Sequence, residues 1–452
     1  MNSKKTSNSG VHIPPVLLPG KNTNLTKWSV VACDQYTSQE DYWKDVENYV
    51  GNDYSTLHLI FPEVYLEKDD KDERVSKINA AMEQYVNEGI LVTHNPCFIY
   101  LDRKTAHVPS RKGLIIAVDL EEYEYAKGSQ SLIRATEGTV IERLPPRVKV
   151  RENALLELPH IMLLIDDPER SVIEPLALKT ESFEKVYDFD LMMGSGHITG
   201  FKIESEETIS SILQAINALA APETFRKKYG VGEDKGVLLF AVGDGNHSLA
   251  TAKVCWENLK QCLSPDELEN HPARYALVEL VNVHDEGLVF EPIHRVVFNV
   301  DTMCLLNSLK HYFMDKNCRA DYKFFASEGA MKSWAEEARL SGNRHVIPFI
   351  SKDSFGIVAI DKPPYNLEVG TLQSFLDDFM KDRPDVKIDY IHGADVVASL
   401  GSKEGNMGFF LPAMNKHDLF KTVILDGALP RKTFSMGEAD EKRFYLECRK
   451  IR

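Results

Sequence analysis

The chain has 452 residues, of which 43% are hydrophobic, with a formal net charge of −15 at pH 7 and an isoelectric point near 5.5. This composition is that of ordinary globular proteins, and the length is sufficient for two or three packed domains. The acidic balance argues against a nucleic-acid or membrane-surface binder, so positive charge needs a local explanation. No segment reaches about eighteen consecutive apolar residues, and the polar start MNSKKTSNSG has no apolar signal core. We therefore expect a cytoplasmic protein with no nucleic-acid and no membrane partner.

The apolar periodicity along the chain predicts an α+β or mixed α/β fold. The predicted elements, in chain order, are a strand over 28–32, a helix after Ser38, a helix around 78–86, strands over 97–101, 114–120 and 161–165, a helix around 209–216, a strand–turn–helix segment over 236–253, a strand over 275–283, a helix over 305–313, a strand over 346–350, a helix over 372–380, and strands over 407–411 and 444–448. We expect three lobes, 11–175, 176–300 and 301–452.

The cysteines and histidines set limits on the chemistry. The seven cysteines are scattered and include no C-x-x-C pair, and no H-E-x-x-H spacing occurs. Neither a disulfide framework nor a zinc site is therefore expected. Cys33, which is followed by Asp34, is the one cysteine that we keep as a candidate for chemistry.

The segment 236–253, GVLLFAVGDGNHSLATAK, has the most informative pattern in the chain. Its apolar run over 237–242 predicts a buried strand, and its later apolar residues recur at helical spacing. Gly243 and Gly245 allow a sharp turn between the two elements. The first backbone N–H groups of the helix lie at the positive end of its dipole, an arrangement that attracts an anion, most often phosphate.

The candidate catalytic residues lie in this turn. Asp244 is expected to hold a magnesium ion or to move a proton, and His247 is a second candidate. Asp244 and Asn246 would equally suit the cap of a helix, and His247 a hydrogen bond inside a loop. Polar residues directly after a buried strand favour a site, because ligands of α/β sheets bind outside the carboxyl ends of strands. Both interpretations stay open on these residues alone.

Three further segments combine basic side chains with hydroxyl groups or carboxylates. They are Arg134-Ala135-Thr136-Glu137-Gly138-Thr139 with Arg143 and Arg147, then Glu286-Gly287-Leu288 running to Pro292-Ile293-His294-Arg295, and last Leu429-Pro430-Arg431-Lys432-Thr433-Phe434-Ser435. Arginine offers a rigid fork of donors to phosphate or carboxylate. Each segment alone would also suit a solvated loop, but together in an acidic chain they predict one converging anion pocket. Its four expected cations are Arg134, Arg143, Arg295 and Lys432.

At these residues the chain resembles the domain-of-unknown-function 1015 family, which is marked by an Asp-Gly-His-His-Arg-like turn entering a helix. The matching turn here is Asp244-Gly245-Asn246-His247-Ser248. The other matching residues are Arg134, Thr136, Glu137 and Arg143, then His294 and Arg295, and finally Pro430, Lys432 and Thr433. The resemblance extends from about Val11 to Ile451. Asn246 and Ser248 replace the usual histidine and arginine, so one charged phosphate contact is lost.

That family is similar in turn to the ParB/sulfiredoxin-like superfamily, in which the equivalent turn holds nucleotide phosphates. Some of its members, including free serine kinases, transfer phosphoryl groups. The resemblance implies a ParB/sulfiredoxin-like core over 176–300, a nucleotide such as ATP or ADP as ligand, and phosphate contacts from the matching residues, including Gly245, Asn246 and Ser248.

The function predicted from these features is phosphoryl transfer, by a kinase or a phosphatase, on a small phosphorylated metabolite. Serine or phosphoserine is the best single guess by analogy with the superfamily. Asp244 would hold magnesium or act as the base, with Glu137 in reserve. The alternative is a non-enzymatic nucleotide-binding regulator of the ParB type, and a third possibility is a scaffold with a degenerate site. The sequence does not give the oligomeric state.

Overall fold

The computed structural model describes residues 9–37, 39–66, 68–339, 344–352 and 354–452. Contacts within it group the chain into two compact units, one formed by the residues up to Val289 with Met436–Arg452 and the other by Phe290–Ser435. The expected boundary near residue 300 lies close to the start of the second unit. The expected boundary near residue 175 falls inside the first unit.

The first unit is a mixed sheet with helices packed on it. Its strands are β1 (Val11–His12), β2 (Pro15–Pro19), β3 (Leu91–Pro96), β4 (Phe98–Lys104), β5 (Arg111–Asp119), β6 (Tyr123–Glu124), β7 (Ile133–Ala135), β8 (Leu156–Glu157), β9 (Met162–Ile165), β10 (Glu184–Asp190), β11 (His197–Ile203), β12 (Phe240–Asp244) and β13 (Tyr275–Asn282). Its helices are α1 (Leu25–Trp28), α2 (Glu40–Val50), α3 (Lys71–Asn87), α4 (Leu144–Arg151), α5 (Glu174–Ala177), α6 (Glu206–Leu219), α7 (Pro222–Tyr229), α8 (Asn246–Leu259) and α9 (Pro265–Asn270).

The main sheet of this unit runs in the order β10-β11-β4-β5-β13-β9-β12-β7-β6, with β1 paired to β5. β12 pairs in parallel with β7, where Val242 lies opposite Ala135, and antiparallel with β9, where Asp244 lies opposite Met162. The carboxyl ends of β7 and β12 therefore lie at the same edge of the sheet as the start of β9. This confirms a mixed α/β fold. The ParB/sulfiredoxin-like core remains a prediction.

Alternate residues of the strands bury the two faces of the sheet. Ile99 and Ile115 pack on one face with α2 and α3, whereas Tyr100 and Ile116 pack on the other face with α6 and α8. Strands covered on both faces are typical of α/β proteins and explain the continuous apolar runs in the sequence.

Two predicted strands are wrong, and one predicted helix start lies outside the described residues. Trp28 belongs to α1, and the residues after it make a single isolated bridge between Val31 and Phe444. The segment 444–448 makes two isolated bridges, Phe444 with Val31 and Cys448 with Leu17. It does not run along one partner strand. Ser38 is not described, and α2 begins at Glu40.

The second unit has its own sheet, and the last strand of the chain returns to the first unit. The second-unit strands are β14 (Phe290–Pro292), β15 (His294–Phe298), β16 (Arg319–Phe325), β17 (Arg344–Ser351), β18 (Ser354–Asp361), β19 (Lys387–Ile391), β20 (Asn406–Phe409) and β21 (Phe434–Met436), followed in the first unit by β22 (Arg449–Lys450). The second-unit helices are α10 (Thr302–Asp315), α11 (Glu328–Arg339), α12 (Glu368–Met380), α13 (Ala394–Gly401) and α14 (Leu419–Asp426).

The larger sheet of the second unit runs in the order β16-β18-β17-β20-β15-β19. Val297 and Ile347 pack with α10 and α12 on one face, and Val296 and Val346 pack with α11 and α13 on the other. In the described part of either unit, no helix combines the length and the apolar character that crossing a membrane requires.

Candidate functional site

The predicted strand–turn–helix is present, and its helix begins without a side-chain cap. The turn depends on Gly245, whose φ is +78° and whose added Cβ would lie 3.0 Å from the Cα of Ile161. Gly245 is also the N-cap of α8, so it offers no side-chain acceptor, and the first turn of α8 contains no acidic residue. By contrast, Ser205 and Asp301 accept backbone hydrogen bonds as the N-caps of α6 and α10. No N-cap side chain therefore satisfies the backbone N–H groups in the first turn of α8.

Asp244 is already bonded through both carboxylate oxygens. Oδ1 accepts from the backbone N–H of Gly245 at 2.9 Å, and Oδ2 lies 3.2 Å from the Nζ of Lys442. The pair is mostly buried, with side-chain exposures of 22% for Asp244 and 10% for Lys442. Lys442 thus places an ammonium group beside the first turn of α8.

These residues do not fit a magnesium site built by the protein. Within the described ranges, no group of three or more His, Cys, Asp or Glu side chains is arranged to hold a metal ion. Asp244 would be a single carboxylate ligand, and Lys442 already takes one of its oxygens. Magnesium commonly relies on one or two carboxylates together with substrate phosphates, and here it would compete with an ammonium group.

The loop that follows β7 lies against the first turn of α8. The backbone N–H of Thr136 donates to Oδ1 of Asn246 at 3.3 Å, and the Thr136 hydroxyl donates to the Val242 carbonyl at 2.5 Å. The backbone N–H of Val140 donates to Nε2 of His247 at 3.4 Å. The parallel pairing of β7 and β12 thus brings Thr136, Asn246 and His247 together, with the half-buried Glu137 in the same loop.

Ser248 belongs to a chain of hydrogen bonds, Ser248–His160–Tyr445–Cys33, which we call the relay. The sequence did not predict it. Its Oγ lies 2.9 Å from Nε2 of His160, and Nδ1 of His160 lies 2.6 Å from the hydroxyl of Tyr445. The Tyr445 hydroxyl accepts from the backbone N–H of Cys33 at 3.2 Å, and a carboxylate oxygen of Asp34 lies 3.7 Å from Nε2 of His160. The only sequence signal for His160 was a polar residue before the apolar run of β9.

Arg134 uses its guanidinium to hold neighbouring backbone. It donates to the carbonyls of Ser131 at 2.8 Å, Gly236 at 2.6 Å and Val237 at 3.2 Å. Burial lowers the pKa of Arg134 to about 10. Its geometry is therefore that of a cation that ties the loop before β7 to the segment before β12.

The other two predicted arginines of the first unit differ in their surroundings. Arg147 donates to both carboxylate oxygens of Glu63, at 2.8 Å and 2.5 Å, so its charge is matched. It also donates to the carbonyl of Arg143, whose own side chain is exposed.

The remaining predicted ligands belong to the second unit. Nδ1 of the buried His294 accepts from the backbone N–H of Leu411 at 3.1 Å. The buried Arg295 donates to Gln373 and to the carbonyls of Ile293, His294 and Arg431. Thr433 donates to the carbonyl of Pro430 at 2.6 Å, and Lys432 is exposed. Their convergence with the first-unit cations stays a prediction.

Comparison with protein families identifies the chain. The model of the family described as protein of unknown function, DUF1015, matches residues 17–379, so the chain belongs to that family. The comparison with curated proteins gives no match.

Solved structures give distant likenesses. A conserved hypothetical protein from Pyrococcus furiosus is 14% identical with a TM-score of 0.35, over 74% of this chain and 90% of that one. A mutant free serine kinase in complex with AMP is 12% identical with a TM-score of 0.39, and a complex of the same kind with ADP has a TM-score of 0.38 at 12% identity. Each of these two covers 75% of this chain and 92% of the other. At such low scores and identities, we infer neither fold nor function from them.

Proposed function

We propose that the chain binds the phosphate of a nucleotide or of a small phosphorylated metabolite at the first turn of α8, and that it transfers a phosphoryl group there. The observation that carries this proposal is the start of α8, which has no side-chain cap and has the ammonium group of Lys442 close by. Backbone N–H groups at a helix start and a lysine ammonium are complementary to phosphate oxygens. Lys442 is mostly buried, which strengthens its electrostatic effect relative to a lysine in bulk water.

In this proposal, phosphoryl transfer depends mainly on positioning and on neutralisation of charge. Lys442 neutralises the phosphate, and Asp244 orients Lys442 through their 3.2 Å contact. Asp244 is also the carboxylate that we assign to accept the proton of the attacking hydroxyl group. Thr136 and Asn246 fix the loop that borders the phosphate.

The identity of the substrate is a further part of this proposal. Serine and phosphoserine are the first compounds to test, and that choice rests on the resemblance to the ParB/sulfiredoxin-like superfamily. A kinase and a phosphatase need the same phosphate contacts, so both directions of reaction are tested.

A nucleotide-binding regulator without turnover is the second candidate. Two of the expected phosphate ligands, Arg134 and Arg147, are committed to backbone carbonyls and to Glu63. Stabilisation of a phosphoryl-transfer transition state usually employs several cations, so the loss of these two arginines as phosphate ligands favours binding without turnover.

Lys442→Met tests the phosphate site directly. Isothermal titration with ATP, ADP, phosphoserine and inorganic phosphate should give tight binding to the wild-type chain and a loss of about tenfold or more for the variant, the typical effect of one charge-assisted contact. Lys442→Arg should retain part of the affinity. Lys179→Met is the control, because Lys179 is exposed in the same unit. Unchanged affinity in Lys442→Met would overturn the site.

Asp244→Asn separates the enzyme from the regulator. Phosphorus NMR with serine plus ATP, and with phosphoserine alone, should show turnover that falls roughly a hundredfold in this variant if Asp244 moves a proton. A protein that binds nucleotide and shows no turnover is the regulator. If Asp244→Asn unfolds the chain while activity per folded molecule is constant, Asp244 has a structural role only.

A further inference from the structure

A cavity of about 140 Å³ in the first unit is lined by Ser248 and His160. Most of its wall is apolar, including Leu59, Ile60, Phe61, Leu156, Leu158 and Leu277. An engineered apolar cavity of about 150 Å³ is known to bind benzene, so this space suits a group of about that size.

Each charged side chain in the wall of the cavity contacts an opposite charge. Arg147 donates to both oxygens of Glu63, and Arg151 lies 2.5 Å from Glu157, which also accepts from the buried Arg449. Burial raises the pKa of the Cys33 thiol well above its ordinary value, so this group is neutral as well. A charged occupant would have to break one of these contacts or stay unpaired, and both are costly where the charges in contact are mostly buried. The wall therefore favours an uncharged occupant.

The relay determines how Ser248 presents its hydroxyl group to the cavity. The buried Tyr445 hydroxyl accepts from the backbone N–H of Cys33, lies 2.6 Å from Nδ1 of His160 and also makes a hydrogen bond with the Cys33 side chain. An imidazole nitrogen is a stronger acceptor than a thiol sulfur, so Tyr445 donates its proton to Nδ1. Because Nδ1 accepts from Tyr445, the ring proton of His160 lies on Nε2, which donates to Oγ of Ser248.

The direction of these bonds leaves Ser248 as a donor. Its Oγ accepts a hydrogen bond from Nε2 of His160. Among the residues that the structure describes, no acceptor is found for the Ser248 O–H itself. Nearby Asp34, 3.7 Å from Nε2 of His160, also favours a proton on that nitrogen. His160 is accordingly unsuited to remove the proton of Ser248, and Ser248 presents an O–H donor at the wall of an apolar cavity.

We propose that this cavity is a binding site for an uncharged organic group of about benzene size that carries one acceptor oxygen, such as a carbonyl, to which Ser248 donates its hydroxyl proton. The site uses the side chains of Ser248 and the apolar wall, whereas the proposed phosphate contacts are backbone N–H groups of the first turn of α8 and the ammonium group of Lys442. It requires no phosphate compound, so it can be tested whether or not the proposed phosphoryl transfer holds.

Cyclohexanone is a suitable probe, with methylcyclohexane and cyclohexanecarboxylate as matched compounds that lack the acceptor or carry a charge. Saturation-transfer NMR on the full chain, in a buffer without phosphate, should show binding of cyclohexanone and no competition by the carboxylate. Ser248→Ala should weaken the binding of cyclohexanone about fivefold, the effect of one neutral hydrogen bond. The binding of methylcyclohexane should be unchanged in this variant. Ser211→Ala, on the exposed face of α6, should change neither.

Two further measurements locate the probe. Ala154 lines the cavity and is buried, so Ala154→Leu should fill the space and abolish binding of cyclohexanone. The methyl carbon of Met82, which also lines the cavity, should shift in the wild-type chain when the probe binds. An unshifted Met82 signal, or equal affinity of the wild-type chain and Ser248→Ala for cyclohexanone, would overturn the proposal even if Ala154→Leu fails to fold.

Discussion

Acidification should destabilise the second unit through His294. This side chain is 5% exposed, and its Nδ1 accepts from the backbone N–H of Leu411 at 3.1 Å. Burial, together with the positive Arg295 and with His392, lowers the pKa of His294 from 6.5 to about 4. Only the unprotonated nitrogen accepts the Leu411 bond, so a proton there replaces an attraction with a repulsion between two donors.

The lowered pKa of His294 makes the second unit less stable in acid. The folded state binds the His294 proton more weakly than the unfolded state, so the stabilising contribution is complete above pH 6.5 and is lost as the pH falls toward 4. A pKa change of this size corresponds to roughly 3 kcal/mol in the free energy of unfolding. That is a large part of the stability of a typical domain.

His294→Asn is the matched variant, because its amide oxygen can accept from Leu411 and does not titrate. Urea unfolding, followed by hydrogen-exchange mass spectrometry of the β15 peptide, should be performed at about pH 7.5 and about pH 4.5. The wild-type unit should lose more free energy than the variant between these pH values, by roughly 2–3 kcal/mol. Equal losses would refute the reasoning. Unchanged phosphate affinity in the variant would also assign His294 a structural role, against its predicted ligand role.

Two further substitutions test the first unit. Gly245→Ala should lower the free energy of unfolding by about 1–2 kcal/mol or more in urea titrations, because the left-handed backbone disfavours a Cβ and Ile161 lies 3.0 Å from it; a variant of wild-type stability would contradict this. Tyr445→Phe should lower the free energy of unfolding by about 1–3 kcal/mol, since the backbone N–H of Cys33 and Nδ1 of His160 both lose their hydrogen-bond partner. Nitrogen NMR of His160 should change in Tyr445→Phe and not in Tyr49→Phe, which alters an exposed ring.

The elements that depend on neighbouring residues could be predicted from the sequence. The apolar run before Asp244, the glycines of the turn and the helical spacing after it predicted a strand–turn–helix that the structure contains as β12 and α8. The observed strand is shifted toward the turn, to Phe240–Asp244. The carbonyls of Gly236 and Val237, which precede the observed strand, accept hydrogen bonds from Arg134 instead. No local sequence pattern encodes this contact.

The side chains that meet at that turn are brought together by long-range contacts of the fold. Lys442 and Tyr445 reach it from the far end of the chain. The segment 444–448, which contains Tyr445, was predicted as a strand because apolar spacing does not distinguish isolated bridges from a continuous ladder. Thr136 meets Asn246 because β7 pairs in parallel with β12, and a sequence does not state which strands pair. Arginine donors are equally complementary to phosphate, carboxylate and backbone carbonyls, so only the fold decided that Arg134 bonds to carbonyls and Arg147 to Glu63.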